Sequence, residues 1–224
     1  MSRRGFPLFC FVVFLCVSCG RGDDGQKLPT NSSQERVEMK TEDSQQPVFV
    51  PVIVYKDKGF RDNHFVPSGF MPNGECLKLD EDWLENCQEG TTCIKVIFDT
   101  VCSRKGQKWG GIYWLNPADN WGGKKAGFNL DGAKRLSFWA KGERGCERIE
   151  EFKVGGITGA YPDSDSAVIG PVRLGTEWRQ YTIDLRGKDL SYISGGFSWA
   201  TNVDVNAQEC AQEAAFYLDD IKFE

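Results

Sequence analysis

The chain has 224 residues, of which 40% are hydrophobic and 26% charged, and its formal net charge is −5. That length can bury the core of one ordinary domain, and the acidic balance excludes a nucleic-acid binder that works through an excess of Lys and Arg. A single histidine, His64, excludes a three-histidine zinc site and any pair of His ligands at helical spacing, and leaves a Ser-His-Asp triad only that one residue to use.

Residues 1–19 read as an export signal. Arg3 and Arg4 precede an almost unbroken hydrophobic run from Phe6 to Val17. About a dozen residues match a signal-peptide core and fall short of a bilayer span. The run ends at Leu15-Cys-Val-Ser-Cys19-Gly20. That ending resembles a bacterial lipoprotein signal, which implies a lipid on Cys19; it departs from the pattern in carrying Cys16 where Leu is usual. Simple secretion after cleavage near Ser18 is the alternative. The expected location is the cell envelope, anchored to the outer membrane or cell surface, with a secreted protein second.

Residues 20–47 contain only Leu28, Val37 and Met39 as apolar side chains and ten charges. Such a segment cannot offset its chain entropy by burial, so it is expected to be a disordered tether. Fully extended it reaches on the order of 90 Å.

From residue 48 to 224 a single all-β domain is expected. Candidate strands are Val48 to Tyr55, Thr92 to Val101, Gly111 to Leu115, Arg135 to Ala140, Ile149 to Val154, Ala167 to Leu174, Trp178 to Leu185, Gly196 to Ala200 and Ala215 to Phe223. Turn residues separate them, and no long window has helical periodicity; Glu81 to Leu84 and Lys188 to Ser191 are read as single helical turns. Eight or nine short strands read as a β-sandwich. Alternation turns Leu136, Phe138, Ala140, Phe152, Val154, Tyr181 and Ile183 inward. If the strands are neighbours, the other faces form one surface with Trp139, Trp178, Glu151, Lys153 and Gln180.

Once the export segment is set aside, Cys76, Cys87, Cys93, Cys102, Cys146 and Cys210 remain. Outside the cytoplasm an even number reads as disulfides, and six cysteines allow about 15 connectivities. Four lie between residues 76 and 102, which points to local cross-linking, and Cys146 and Cys210 are candidates to pair with each other. No CxxC spacing or nearby His supports a metal site in their place.

The segment from Trp109 to Trp121 packs Trp109, Tyr113, Trp114 and Trp121 among Asn116, Asp119, Asn120 and several glycines. An indole offers a flat apolar plane for the C–H face of a sugar ring, while Asn and Asp reach its hydroxyls. Large aromatics in a sandwich also serve as core, so each of these residues has two readings.

Arg135-Leu-Ser-Phe-Trp-Ala-Lys-Gly142, Leu174-Gly-Thr-Glu-Trp-Arg-Gln-Tyr-Thr-Ile-Asp-Leu185, Gly195-Gly-Phe-Ser-Trp199 and Phe216-Tyr-Leu-Asp-Asp-Ile221 resemble the galactose-binding-domain-like jelly rolls that serve as carbohydrate-binding modules. The resemblance covers most of residues 53–224; the six cysteines depart from it. It implies a two-sheet antiparallel jelly-roll β-sandwich and non-catalytic binding of a poly- or oligosaccharide. Trp109, Tyr113, Trp114 and Trp121 would stack, Asn116, Asp119 and Asn120 would hydrogen-bond, and Trp139 and Trp199 would be further platforms. It also implies a structural calcium held by Asp219 and Asp57; the alternative is that Asp219 pairs with a Lys or Arg and Asp220 faces solvent. Two other functions stay open. One is a jelly-roll glycoside hydrolase or polysaccharide lyase, which needs two opposed carboxylates. The other is a surface lipoprotein that binds another protein.

Overall fold

Short alternating runs become thirteen strand segments and one helix in the computed structural model, which describes residues 48–72, 74–101 and 108–224. The export signal, Cys19, the tether and Cys102 lie outside the described residues. In chain order the elements are β1 (Val52–Tyr55), β2 (Val66–Met71), β3 (Leu77–Trp83), β4 (Cys93–Asp99), β5 (Trp109–Leu115), β6 (Arg135–Gly142), β7 (Arg148–Ile149), β8 (Glu151–Gly155), β9 (Ser166–Ile169), β10 (Val172–Arg173), β11 (Arg179–Asp184), β12 (Gly195–Asn202), α1 (Val203–Cys210) and β13 (Glu213–Phe223).

Two large antiparallel sheets form, beside a two-stranded ladder of β7 and β10. One has the order β11-β6-β13-β4-β3, with β1 also paired to β13; the other has the order β2-β5-β12-β8-β9. The chain changes sheet at most connections, as in a jelly roll. Between the sheets lies one apolar core. Phe138 on β6 meets Phe152 on β8 at 4.7 Å and Phe197 on β12 at 5.1 Å, and Trp199 meets Phe216 of β13 edge-on at 4.9 Å. These offset and edge-on geometries suit the ring quadrupoles.

Each of the nine expected segments contains a strand. Two strands were not expected. In β2, Pro67 and Gly69 interrupt the pattern, which an edge strand tolerates. In β3, Leu77 and Leu79 pack on the core, and the acidic run that follows is strand, not the expected helical turn. Lys188 to Ser191 is loop. The short helix α1 has no apolar stripe to announce it. Asn202 caps it by accepting from the Val205 N–H at 3.0 Å, and buried Asn206 donates to the Arg148 and Asn202 carbonyls.

Cys87 bonds Cys93, and Cys146 bonds Cys210 across 64 residues; Cys76 is disulfide-bonded as well. The expected common surface divides. β6 and β11 are neighbours, so Trp139 and Gln180 share a face, whereas β8 belongs to the other sheet. Glu151 and Lys153 therefore lie on the opposite side of the sandwich from Trp139.

Candidate functional site

The outward face of the β2-β5-β12-β8-β9 sheet is set by register. One row across the strands runs Gly69, Tyr113, Ser198, Lys153, Val168; the next runs Met71, Gly111, Ala200, Glu151. Gly111, Ser198 and Ala200 in the middle of the face are small, and Gly111 and Ser198 are buried beneath their neighbours. Lys153 and Glu151 rise on one flank and Trp121 on the other, while Trp109, opposite Asn202, stands at one end. The result is a strip bordered by an exposed indole and by charged groups.

Trp121 comes from the loop after β5 and lies over β2. A Cβ added at Gly69 would sit 2.9 Å from its ring and 2.8 Å from Tyr113 Cβ, so glycine is what admits the indole. Its ring meets Tyr113 edge-on at 5.8 Å, and 46% of the residue stays exposed. The loop itself is rigidly tied. Buried Asn120 donates to the Asn116 and Lys124 carbonyls and accepts from the Lys124 N–H. Asn116 donates to the Ala126 carbonyl. Gly122, at φ +82°, passes so close to Thr158 that no Cβ fits. Its carbonyl accepts from the Tyr161 N–H at 2.9 Å, which brings a second aromatic, 41% exposed, beside the Trp121 loop. Asp163 anchors that neighbouring loop, accepting from the Ile157, Ser194 and Gly195 N–H groups.

The expected site residues thus fall into four groups. Trp109, Trp121 and Asp119 are exposed. Asn116 and Asn120 spend their amides on the loop, and Tyr113 is 6% exposed with its hydroxyl donated to the Gly155 carbonyl, so these three shape the site from beneath. Trp114 and Trp199 are fully buried in the core and are not platforms. They sit one residue out of phase with the outward row, so the pleat turns them inward. Trp139 is half-buried on the other sheet, far from any row that includes Trp121. Sequence reading passed over Met71, Gly111, Ser198 and Ala200, and read Tyr161 first as part of a turn with ligand contact as the lesser alternative. Small residues at alternate positions in β5 and β12 were the available signal.

Asp57 and Asp219 lie at the opposite sheet. β13 changes partner from β4 to β1 around Asp219 and Asp220, and a bulge there leaves Asp220 at φ +43°. Buried Asp219 accepts from the Gln88 and Glu89 N–H groups at 2.9 Å and from the Asp220 N–H at 2.8 Å. Asp57 accepts from the Thr91 N–H at 2.6 Å, the Thr91 hydroxyl at 3.1 Å and the Thr92 N–H at 2.8 Å. It is Asp220, not Asp219, that pairs with a lysine: Lys222 Nζ lies 2.6 Å from its carboxylate. Calcium needs six to eight oxygen ligands. The donors meet both carboxylate oxygens of Asp219 and Oδ1 of Asp57. Cys146, Glu147 and Cys210 cluster within 4.8 Å, but the two sulfurs are bonded to each other.

Burial pushes the Asp219 carboxyl up to about 6, against the pull of the Glu89, Asp220 and Gln88 N–H groups. Burial also acts upward on Asp57, but the Thr92 and Thr91 donors outweigh it and hold that carboxyl below its usual range. A carboxyl raised in the folded chain binds its proton more tightly there than when unfolded. Its stabilising contribution is complete below the ordinary 3.8 and is lost as pH rises through about 6. Urea unfolding of the protein is expected to show that decline between these pH values, and Asp219→Asn is expected to flatten it.

No protein family matches the chain, and no curated protein matches it. Among solved structures it is similar to a family 30 carbohydrate-binding module of a cellulosomal cellulase of Clostridium thermocellum, at 18% identity, covering 78% of this chain and 97% of that one with a TM-score of 0.45. It is similar to the family 29 module CBM29_1 from Piromyces equi at 15% identity, 78% and 89% coverage and a TM-score of 0.40. A third is CBM27-1 of Caldicellulosiruptor saccharolyticus, in complex with mannohexaose, at 11% identity, 78% and 97% coverage and a TM-score of 0.42.

Proposed function

We propose that the chain binds an oligo- or polysaccharide, without turnover, along the outward face of the β2-β5-β12-β8-β9 sheet. The observation that carries this is Trp121, held rigidly over Gly69 with nearly half its surface exposed on the same sheet face as Trp109, Lys153 and Glu151. A sugar ring would lay its C–H face on the indole, and Lys153 and Glu151 on the same face would offer polar partners to its hydroxyls. Asp119 and Tyr161 extend the same side. Affinity for each sugar unit is modest, because hydroxyls exchange water for protein partners with little net gain.

A glycan array and affinity electrophoresis with the purified protein test this. Binding to at least one polysaccharide is expected, and Trp121→Ala is expected to weaken it about tenfold or more, the worth of an aromatic surface of this size removed from water. Failure to bind any polysaccharide, or equal binding by Trp121→Ala, would sink the reading.

The export signal and Cys19 supply the setting in this proposal: a sugar-binding domain on a polar leash at a lipid-anchored cysteine. Metabolic labelling with a fatty-acid analogue is expected to mark the protein, and Cys19→Ala is expected to lose the label. An unlabelled protein in the culture medium would point to simple secretion.

A further inference from the structure

The loop between β3 and β4 is closed by Cys87–Cys93 and lies across the outward face of the β11-β6-β13-β4-β3 sheet. Its polar groups are sorted by sign. At one end the carbonyls of Glu85 and Asn86 accept from Trp83 Nε1 at 3.0 Å and Trp178 Nε1 at 2.7 Å, and Lys141 Nζ reaches Asn86 at 3.3 Å. At the other end the N–H groups of Gln88 and Glu89 turn to Asp219, and those of Thr91 and Thr92 turn to Asp57. Gly90, at φ +60°, makes the bend between the two carboxylates, and a Cβ there would come within 2.4 Å of Asp57 Oδ2. Tyr55 and the Lys58 N–H fasten Thr92 Oγ1 from β1 and the turn after it. Four backbone N–H groups from one short loop thus hydrogen-bond two acids, one in the turn after β1 and one on β13. A cation placed between those acids would meet the positive ends of the peptide dipoles.

We propose that this disulfide-closed loop does the work of a cation at this edge: it joins the first strand to the last through backbone N–H groups, so that the edge is independent of calcium and is released by reduction. The bond matters because the N–H groups must be held together, and a ring of six residues limits how far the loop can open. The idea goes beyond glycan binding and does not depend on it, since Trp121 and its strip lie on the other sheet.

Two measurements test the proposal. Thermal unfolding of the purified protein is followed in excess calcium and in excess chelator, alongside terbium luminescence sensitised by the nearby Trp83 and Trp178. No shift in Tm and no saturable terbium signal are expected. Hydrogen exchange is then compared between the protein and its Cys87→Ser/Cys93→Ser variant, in which Cys146–Cys210 stays intact. Exchange at Gln88, Glu89, Thr91 and Thr92 is expected to accelerate about tenfold or more, on the scale of closing so short a ring. A chelator-induced fall in Tm that calcium reverses, or one-to-one terbium binding lost in Asp219→Asn, would overturn the proposal. So would unchanged exchange at the four amides. The calcium and chelator arm uses the unaltered protein and can overturn the proposal even if the variant fails to fold.

Discussion

Replacing Cys146 and Cys210 together by alanine is expected to lower the unfolding free energy by about 4 kcal/mol, because the bond closes a ring spanning 64 residues and restricts the unfolded chain accordingly. For a domain of this size that amounts to a fall in Tm of about 10 °C. The bond joins the loop after β6 to the end of α1, a helix also held by Asn206, which exchanges hydrogen bonds with Arg148. Cys210 is fully buried, and the Arg144 guanidinium donates to its carbonyl at 2.5 Å. Arg144 and Gly145 in turn give their N–H groups to buried Glu147 at 3.0 and 2.8 Å. Guanidinium unfolding under oxidising conditions, with Cys87–Cys93 intact, measures the change. A difference below about 1 kcal/mol would show that this corner is held by its hydrogen bonds and not by the covalent link.

Trp199→Ala is expected to cost about 3–5 kcal/mol of stability, a large share of what a domain has to lose. The indole is fully buried, crosses the sandwich to Phe216, and is flanked by Ile112 and Phe152 on the neighbouring strands. Trp114, edge-on to Phe197 at 5.4 Å, should behave alike. Neither indole N–H finds an acceptor among the described residues, so their value is apolar volume, and Trp199→Phe should cost less than Trp199→Ala. Trp121→Ala should show the converse, a change in glycan affinity with unfolding shifted by under about 1 kcal/mol, as for surface sites generally. Chemical denaturation of the three variants separates the roles. A stability loss at Trp121 equal to that at Trp199 would mean that the exposed indole is structural after all.

The strands were legible because Leu136, Phe138 and Ala140, or Phe152 and Val154, alternate cleanly with polar neighbours. The same period of two was present in Trp109 to Leu115 and in Gly195 to Trp199, and it separates Tyr113 from Trp114. Reading that segment as one cluster of aromatics hid the separation. Which sheet a strand joins was not legible. Glu151 and Lys153 alternate like Trp139 and Lys141, yet long-range pairing sends them to opposite sides of the sandwich. The disulfide between Cys146 and Cys210 followed from two cysteines in apparent loops. The surroundings of Asp219 did not, because backbone N–H groups from a loop about 130 residues earlier leave no mark in the local sequence. Tyr161 reads as part of a turn, and only the contact between Gly122 and the Tyr161 N–H brings it beside Trp121.

The eleven residues of β13 have a consequence for the order in which the molecule forms. β13 pairs with β6 along one edge and with β4 and then β1 along the other, and it follows in sequence every strand that it joins. Before it is made, β1 has no partner in that sheet, and β3-β4 and β6-β11 are separate ladders. The sheet therefore assembles in one late step that draws together segments far apart in the chain, the pattern expected to fold slowly and with high cooperativity. Until residues 213–223 are made, this sheet stays divided into those two ladders, with the facing edges of β4 and β6 unpaired.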